Sequence, residues 1–239
     1  TEIYTLSLHD ALPIYHEGNP TLHLIPLASY PEWSNSEVVL DEKTKEVLEP
    51  EKVQKARMRE LTKMKEHQVK QDMPLGEVKK RGLKIVKSRW VDTRKALPDD
   101  PRGVRSRLVA QEINFGPRDD TFAGTPPLWV HRSVVSNAAT EKKSDRGRKR
   151  LIGRYDVSVA FFHAASTGGI AVMPPKDVYD GEHLWFLLKA MNGTREASRQ
   201  WGLYIKGSIG PHGFLASAAI PGLFYHPEWD IMMACHGDD

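Results

Sequence analysis

Two acidic sites at the ends of apolar stretches could together bind divalent metal ions. Asp156 alternates with apolar residues in the stretch RYDVSVAFF, residues 154–162. This period-two pattern predicts a buried β-strand, where an ionised carboxylate needs a metal ion or a basic side chain as its partner. Asp238 and Asp239 follow a second apolar run, residues 231–235. Carboxylates on two strands suit a two-Mg²⁺ phosphoryl-transfer centre, because each ion takes oxygen ligands.

Spacing alone leaves a plainer explanation open for both sites. An aspartate at a strand end also forms turns or ion pairs, and an Asp-Asp pair at a chain end is also simply solvated. The choice between these interpretations depends on the sequence around the two sites.

Composition is that of an ordinary globular protein of 239 residues, 40% hydrophobic and 27% charged. This length is enough for one large domain or two subdomains. No apolar run reaches the roughly 18 residues that a membrane-spanning helix requires. The single cysteine, Cys235, excludes an intrachain disulfide and a zinc site built on cysteines.

Charge is distributed unevenly although the net charge is only +3. Residues 51–110 contain 18 Lys and Arg against 8 Asp and Glu, a local charge of +10. The remaining residues contain 16 against 23, a local charge of −7. Such a chain could hold phosphates with its basic part and perform carboxylate–metal chemistry with the rest. A solvated, lysine-rich helix and hairpin would give the same distribution.

Hydrophobic periodicity predicts the elements that position these residues. A helix is predicted from Pro50, with Val53, Ala56, Glu60 or Leu61, and Met64 on its inner face, ending near 73–74. Strands are predicted over 82–92 and 104–110, joined by a turn, so the basic residues Lys87, Arg89, Arg94, Arg105 and Arg107 lie on one hairpin. Further helices are predicted over 127–139 and 196–209, and further strands over 171–175, 184–189, 222–226 and 231–236. Residues 1–14 resemble a translated sequencing adaptor and are excluded from the fold, and residues 15–50 are predicted to be a linker.

An ordered series of motifs resembles the reverse transcriptase domain of copia-type long-terminal-repeat retrotransposons. The resemblance extends from about Glu51 to Asp239. Its motifs are KSRWV (87–91), GVRSRLVA (103–110), DDTFA (119–123), YDVSVAF (155–161), LKAMNG (188–193), REASRQW (195–201), GLFY (222–225) and GDD (237–239).

This resemblance implies an α+β fold: the fingers and ferredoxin-like palm of a right-hand polymerase, incomplete at the C-terminus. It implies a fingers-like subdomain over 51–145 and a palm over 146–239. Asp156 and Asp238 match the catalytic aspartates and, with the carbonyl of Val157, would bind two Mg²⁺ ions, for which Mn²⁺ can substitute. Asp239 would support them.

The resemblance also implies a deoxynucleotide site. Arg105 and Arg107 would contact the triphosphate, and Phe161 would exclude the 2′-hydroxyl of ribonucleotides. Asn192 and Gly193 would line the pocket.

The implied function is RNA-directed DNA polymerisation on a primed RNA or DNA template, with dNTPs as substrates. Integrase and RNase H regions of the same polyprotein are expected partners, a membrane is not, and the implied location is a cytoplasmic particle or the nucleus. We expect the chain to be a fragment with weak activity or none. The alternatives are a non-catalytic relic that binds nucleic acid through residues 51–110 and a metal-dependent nuclease that uses the same carboxylates.

Overall fold

The computed structural model describes residues 3–5, 38–96, 100–113, 125–140 and 151–237. It confirms a mixed α+β class, with four α-helices and a mixed sheet among these residues. Contacts divide the described chain into two compact units. Unit 1 contains 3–5, 125–140, 151–160 and 198–237, and unit 2 contains 38–96, 100–113 and 161–197. Both units are discontinuous in sequence, unlike the predicted fingers-like subdomain over 51–145 and palm over 146–239.

Unit 2 is built on a five-stranded sheet. Numbered in chain order, its strands are β2 (Lys70–Pro74), β3 (Lys84–Arg94), β4 (Val104–Ala110), β6 (Ile170–Met173) and β7 (His183–Leu187). Their spatial order is β2-β7-β6-β3-β4, which makes β4 an edge strand. The β3–β6 pair is parallel and the other pairs are antiparallel. The predicted basic hairpin is therefore confirmed as β3 and β4.

Helix α1 (Pro50–Glu66) begins where the sequence predicts, and its predicted inner residues are all buried. It ends earlier than the predicted 73–74. Gln68 has a left-handed φ of +51°, and the backbone from Lys70 onward pairs with β7. A run of favourable helix formers is thus ended by a sheet partner that is distant in sequence, which local periodicity does not reveal.

The two helices of unit 2 cover opposite faces of its sheet. Residues directly opposite each other on paired strands share a face, and neighbours along a strand alternate. Helix α1 packs Val53 and Ala56 against Val104 on one face. Helix α2 (Leu75–Lys80) packs Val78 against Met73, Ala171 and Leu184 on the other, at the β2-β7-β6 end.

The predicted linker ends in a structured turn. Leu40 and Val47 form an antiparallel bridge, and Leu48 packs into the core beneath α1. The buried Asp41 carboxylate accepts hydrogen bonds from the N–H groups of Arg94, Thr44 and Lys43, which lower the pKa of Asp41 to about 2. Residues from Val38 onward therefore belong to unit 2, and Asp41 is the turn-forming residue that the sequence analysis overlooked.

Unit 1 contains helix α3 (Leu128–Ala139) and most of helix α4 (Ala197–Ile209), both as predicted. Strands β8 (Leu215–Ala216), β9 (Leu223–His226) and β10 (Ile231–Ala234) form an antiparallel sheet, of which β8 was not predicted. Strand β1 (Ile3–Thr5), within the segment that we excluded, pairs in parallel with β5 (Ile152–Arg154). None of the helices among the described residues is long and apolar enough to cross a bilayer.

Candidate functional site

The structure contradicts the predicted buried strand through Asp156. Strand β5 ends at Arg154, residues 155–157 have no regular structure, and Asp156 is exposed. The chain then turns at Ser158–Val159 and enters a 3₁₀ helix, Ala160–His163. Exposure removes the desolvation cost that motivated the search for a partner, because the carboxylate keeps its contact with water.

Val159 holds a strained backbone conformation at that turn. Its φ of +49° lies in the left-handed region, where a β-branched residue is a genuine outlier. Such strain costs on the order of 1–2 kcal/mol and occurs often in functional segments. The strain therefore marks the short connection between Asp156 and Phe161 as a segment whose path is imposed by its surroundings.

We expect Val159→Gly to be more stable than Val159→Ala, the reverse of the usual order of these two residues. Both variants lose the valine side chain, but only glycine adopts φ above zero without strain. The difference in the free energy of unfolding, measured by urea denaturation, should be about 1 kcal/mol in favour of glycine. Equal stabilities would show that the turn is unstrained.

Asp238 and Asp239 lie outside the described residues, but the chain leading to them is well fixed. The Trp201 indole of α4 donates a hydrogen bond from Nε1 to the Gly237 carbonyl at 2.5 Å. The Cys235 N–H donates to the Gly222 carbonyl at 2.8 Å. A Cβ on Gly222, whose φ is +75°, would lie 2.7 Å from the Cys235 carbonyl oxygen. Sequence reasoning placed Trp201 and Gly222 within motifs but did not assign them this supporting role.

The described residues contain no group of three or more His, Cys, Asp or Glu side chains arranged to hold a metal ion. The predicted ligand set includes Asp238, which is outside those residues. Within them, the exposed Asp156 carboxylate and the adjacent Val157 carbonyl are oxygen donors of the kind that Mg²⁺ takes. These two ligands therefore fit the predicted ion in chemistry.

Arg105 and Arg107 are exposed on one face of β4, in unit 2. They lie opposite Thr93 and Val91 of β3, on the face of the sheet away from α1. Lys87 and Arg89 are exposed on the same face of β3. We call these four basic residues, Lys87, Arg89, Arg105 and Arg107, the hairpin face. Neither described helix of unit 2 covers it, because α2 packs at the other end of the sheet.

Asn192 and Gly193 lie beside the end of β4. The Ala110 N–H donates to the Asn192 carbonyl at 2.8 Å, and the Glu112 N–H donates to the Gly193 carbonyl at 3.3 Å. A Cβ on Gly193 would lie 2.6 Å from Cγ1 of Val109, two residues after Arg107 on the same side of the strand. Four predicted nucleotide-site residues are thus carried by β4 and its immediate neighbour.

Phe161 is half-buried in the 3₁₀ helix, whereas Phe162 is a core residue with 2% of its surface exposed. The Ala164 N–H donates to the Phe161 carbonyl at 3.1 Å and tightens this turn. Phe161 is therefore partly accessible to solvent, in contrast to Phe162.

Glu60 of α1 is buried next to β4. Its carboxylate accepts a long hydrogen bond, 3.4 Å, from the Leu108 N–H at the free edge of the strand. Burial raises the pKa of Glu60, while the Leu108 hydrogen bond and the positive charges of Lys63, Arg105 and Arg107 act in the opposite direction. The charges of α1 and of the hairpin face therefore act on one buried carboxyl.

A buried ionic network positions the hairpin on α1. Arg57, with 12% of its side chain exposed, contacts Asp92 at 2.6 Å and Asp177 at 2.8 Å. Asp92 also accepts a hydrogen bond from Ser106 Oγ at 2.5 Å, and Asp177 accepts one from Trp90 Nε1 at 2.9 Å. The network joins α1, β3, β4 and the 175–179 turn, and it was not predicted, because charge spacing along the sequence does not reveal it.

A scan against protein-family models, a search of curated proteins and a search of solved structures each found no match to this chain.

Proposed function

We propose that the chain is part of an RNA-directed DNA polymerase, the fingers and palm of a copia-type retrotransposon reverse transcriptase. The proposal takes the motif order of the sequence as its starting point. The structural observation that supports it best is the hairpin face. Its four basic side chains project from one face of the β3–β4 hairpin, and α1 packs against the opposite face.

The hairpin face is suited to phosphate groups. Arginine offers a planar fork of donors to phosphate oxygens and lysine offers a point charge. Arg89 forms a bidentate contact with Glu42 at 3.1 and 3.2 Å, so its charge is already balanced. Arg107 is the strongest candidate for the triphosphate, because it lies nearest along β4 to the segment containing Asn192 and Gly193.

The proposed chemistry is transfer of a nucleotidyl group to a primer 3′-hydroxyl. Two Mg²⁺ ions, when bound, would supply a lowered pKa for that hydroxyl and charge neutralisation at the triphosphate. Asp156 and Val157 would provide oxygen ligands, together with Asp238. The half-buried Phe161 ring would disfavour a ribose 2′-hydroxyl, because that hydroxyl would lose water without gaining a hydrogen-bond partner.

Primer extension with dNTPs and Mg²⁺ tests the proposal, using this chain and a version extended beyond Asp239. We expect the 239-residue chain alone to extend weakly or not at all, and the extended version to be active. Asp156→Asn should then abolish extension while the melting temperature stays within a few degrees, because Asp156 is exposed and stabilises no core. Unchanged extension by this variant would refute the catalytic assignment.

The second candidate is a protein that binds nucleic acid without catalysis, which the hairpin face favours equally. Binding of a primer–template should weaken as salt rises. Replacing Arg105 and Arg107 with Gln should reduce the slope of log K against log salt by about 1.4–1.8, or 0.7–0.9 for each lost phosphate contact. Salt-sensitive binding without extension, even in the extended version, would favour this candidate. Unaltered binding by the double variant would exclude the hairpin face from both.

A further inference from the structure

The outward side of α1 carries a row of positive charges at intervals of about one turn. Lys55, Arg59 and Lys63 are four residues apart, so they lie on one side of the helix, and all three are exposed. Among the described residues, no acidic side chain forms an ion pair with any of the three. We call these three residues the helix row.

The helix row is unfavourable for the isolated helix, because like charges four residues apart repel each other. Glu60, the residue after Arg59, offers little compensation at the surface, and the exposed acids of α1, Glu51 and Glu66, lie beyond the two ends of the row. The Glu60 side chain is buried and accepts its hydrogen bond from the Leu108 N–H, so it faces β4 and leaves the outer surface cationic. An anionic ligand would relieve this repulsion.

The residues around the row restrict the class of that ligand. After Pro50, the exposed residues of α1 are all charged or polar: Glu51, Lys55, Arg59, Thr62, Lys63, Lys65 and Glu66. A helix that inserts into a membrane surface would require apolar side chains, and stacking on bases would require aromatic rings, so the row can bind its ligand through charge alone. A ligand with phosphates repeated along one direction needs neither, and the phosphate backbone of a nucleic acid meets this description.

The row also has a relationship to the hairpin face. Glu60, three residues before Lys63 on α1, accepts a hydrogen bond from the Leu108 N–H of β4, the edge strand that also carries Arg105 and Arg107, so α1 lies against the same edge of the sheet as the two arginines. We propose that the helix row is a second phosphate-backbone site for a nucleic-acid strand, separate from the hairpin face. The inference rests on the proposed function in taking nucleic acid as the ligand.

The test is the salt dependence of binding to labelled duplex DNA, an RNA–DNA hybrid and a single strand. In the full chain, Lys55, Arg59 and Lys63 are replaced together by Gln, which is also a good helix former. The slope of log K against log salt should fall by about 2–3 for each probe, or 0.7–0.9 per lost contact. The single variant Arg59→Gln should lower it by about 0.7–0.9 and serves if the triple variant does not fold.

The matched control replaces Lys79, Lys80 and Lys206 with Gln, because these exposed lysines lie on α2 and α4 and remove the same total charge. Its slope should stay near that of the unmodified chain. The inference is overturned if both triple variants change the slope equally, or if the helix-row variant leaves the slope unchanged. If the helix-row inference failed in this way but nucleic-acid binding still depended on Arg105 and Arg107, the proposed function would remain supported.

Discussion

Replacing Arg57 with alanine is expected to lower the free energy of unfolding by about 3–5 kcal/mol. The variant leaves Asp92, with 5% of its side chain exposed, and Asp177 without the cation that contacts both. Breaking a buried ion pair from one side is costly because the remaining charge keeps its desolvation penalty. Urea denaturation at neutral pH, followed by tryptophan fluorescence, would measure the loss and would also report on Trp90, which donates to Asp177.

Lys52→Ala is the matched control on the same helix. Lys52 also bridges two carboxylates, Glu49 and Asp100, but both contacts are in partly or largely exposed positions. Exposed ion pairs contribute about 0–1 kcal/mol, so this variant should change stability by no more than that. If the two variants were equally stable, the buried network would not be what holds the hairpin to α1.

Gly193→Ala is expected to destabilise the chain by about 2–4 kcal/mol, from backbone strain and overpacking together. Gly193 has a φ of +83°, and an added Cβ would lie 1.9 Å from the Ala110 carbonyl oxygen. That neighbour is backbone and is held in β4, so it has little room to move away. The variant should also release the Ala110 N–H from its hydrogen bond to the Asn192 carbonyl, and hydrogen exchange at Ala110 would detect this.

Gly82→Ala separates the two contributions. Gly82 also has a positive φ, +63°, but no atom lies within 4 Å of the position that an added Cβ would occupy. It should therefore cost only the left-handed backbone penalty of about 1–2 kcal/mol. An equal loss at both positions would show that contact with Ala110 contributes nothing, and that Gly193 is required only for its backbone angle.

Local sequence patterns predicted helix α1 and the β3–β4 hairpin of unit 2, but not the contacts that hold these elements together. Periodicity located the start and inner face of α1, and turn chemistry located the β3–β4 hairpin. The contacts of Arg57 with Asp92 and Asp177 join residues 35 and 120 positions apart, so no local pattern contains them. The order of the sheet, with β3 between β4 and the much later β6, is hidden for the same reason.

The candidate site shows a sharper limit of sequence reasoning. Alternation around Asp156 is a genuine period-two pattern, yet Val159 turns the chain and leaves Asp156 in solvent. Alternation indicates which side chains could share a face, but a β-strand also requires a hydrogen-bonded partner strand. Among the described residues, β5 has such a partner only over Ile152–Arg154. By contrast, Arg105 and Arg107 were placed correctly on a strand of the basic hairpin, because β3 pairs along the full length of β4.

The unequal lengths of β3 and its two neighbours have a mechanical consequence. Strand β6 pairs with β3 only over Lys84–Lys87, while β4 continues the pairing to Arg94. The outer half of the hairpin therefore extends beyond β6. It is held on one side by Arg57 of α1, and it is also held by the 38–48 turn, where the Arg94 N–H donates to the Asp41 carboxylate and the Glu42 N–H donates to the Asp92 carbonyl. The stiffness of this outer half depends on both supports, so loosening α1 and the 38–48 turn together would let the tip of the hairpin move while the rest of the sheet remained intact.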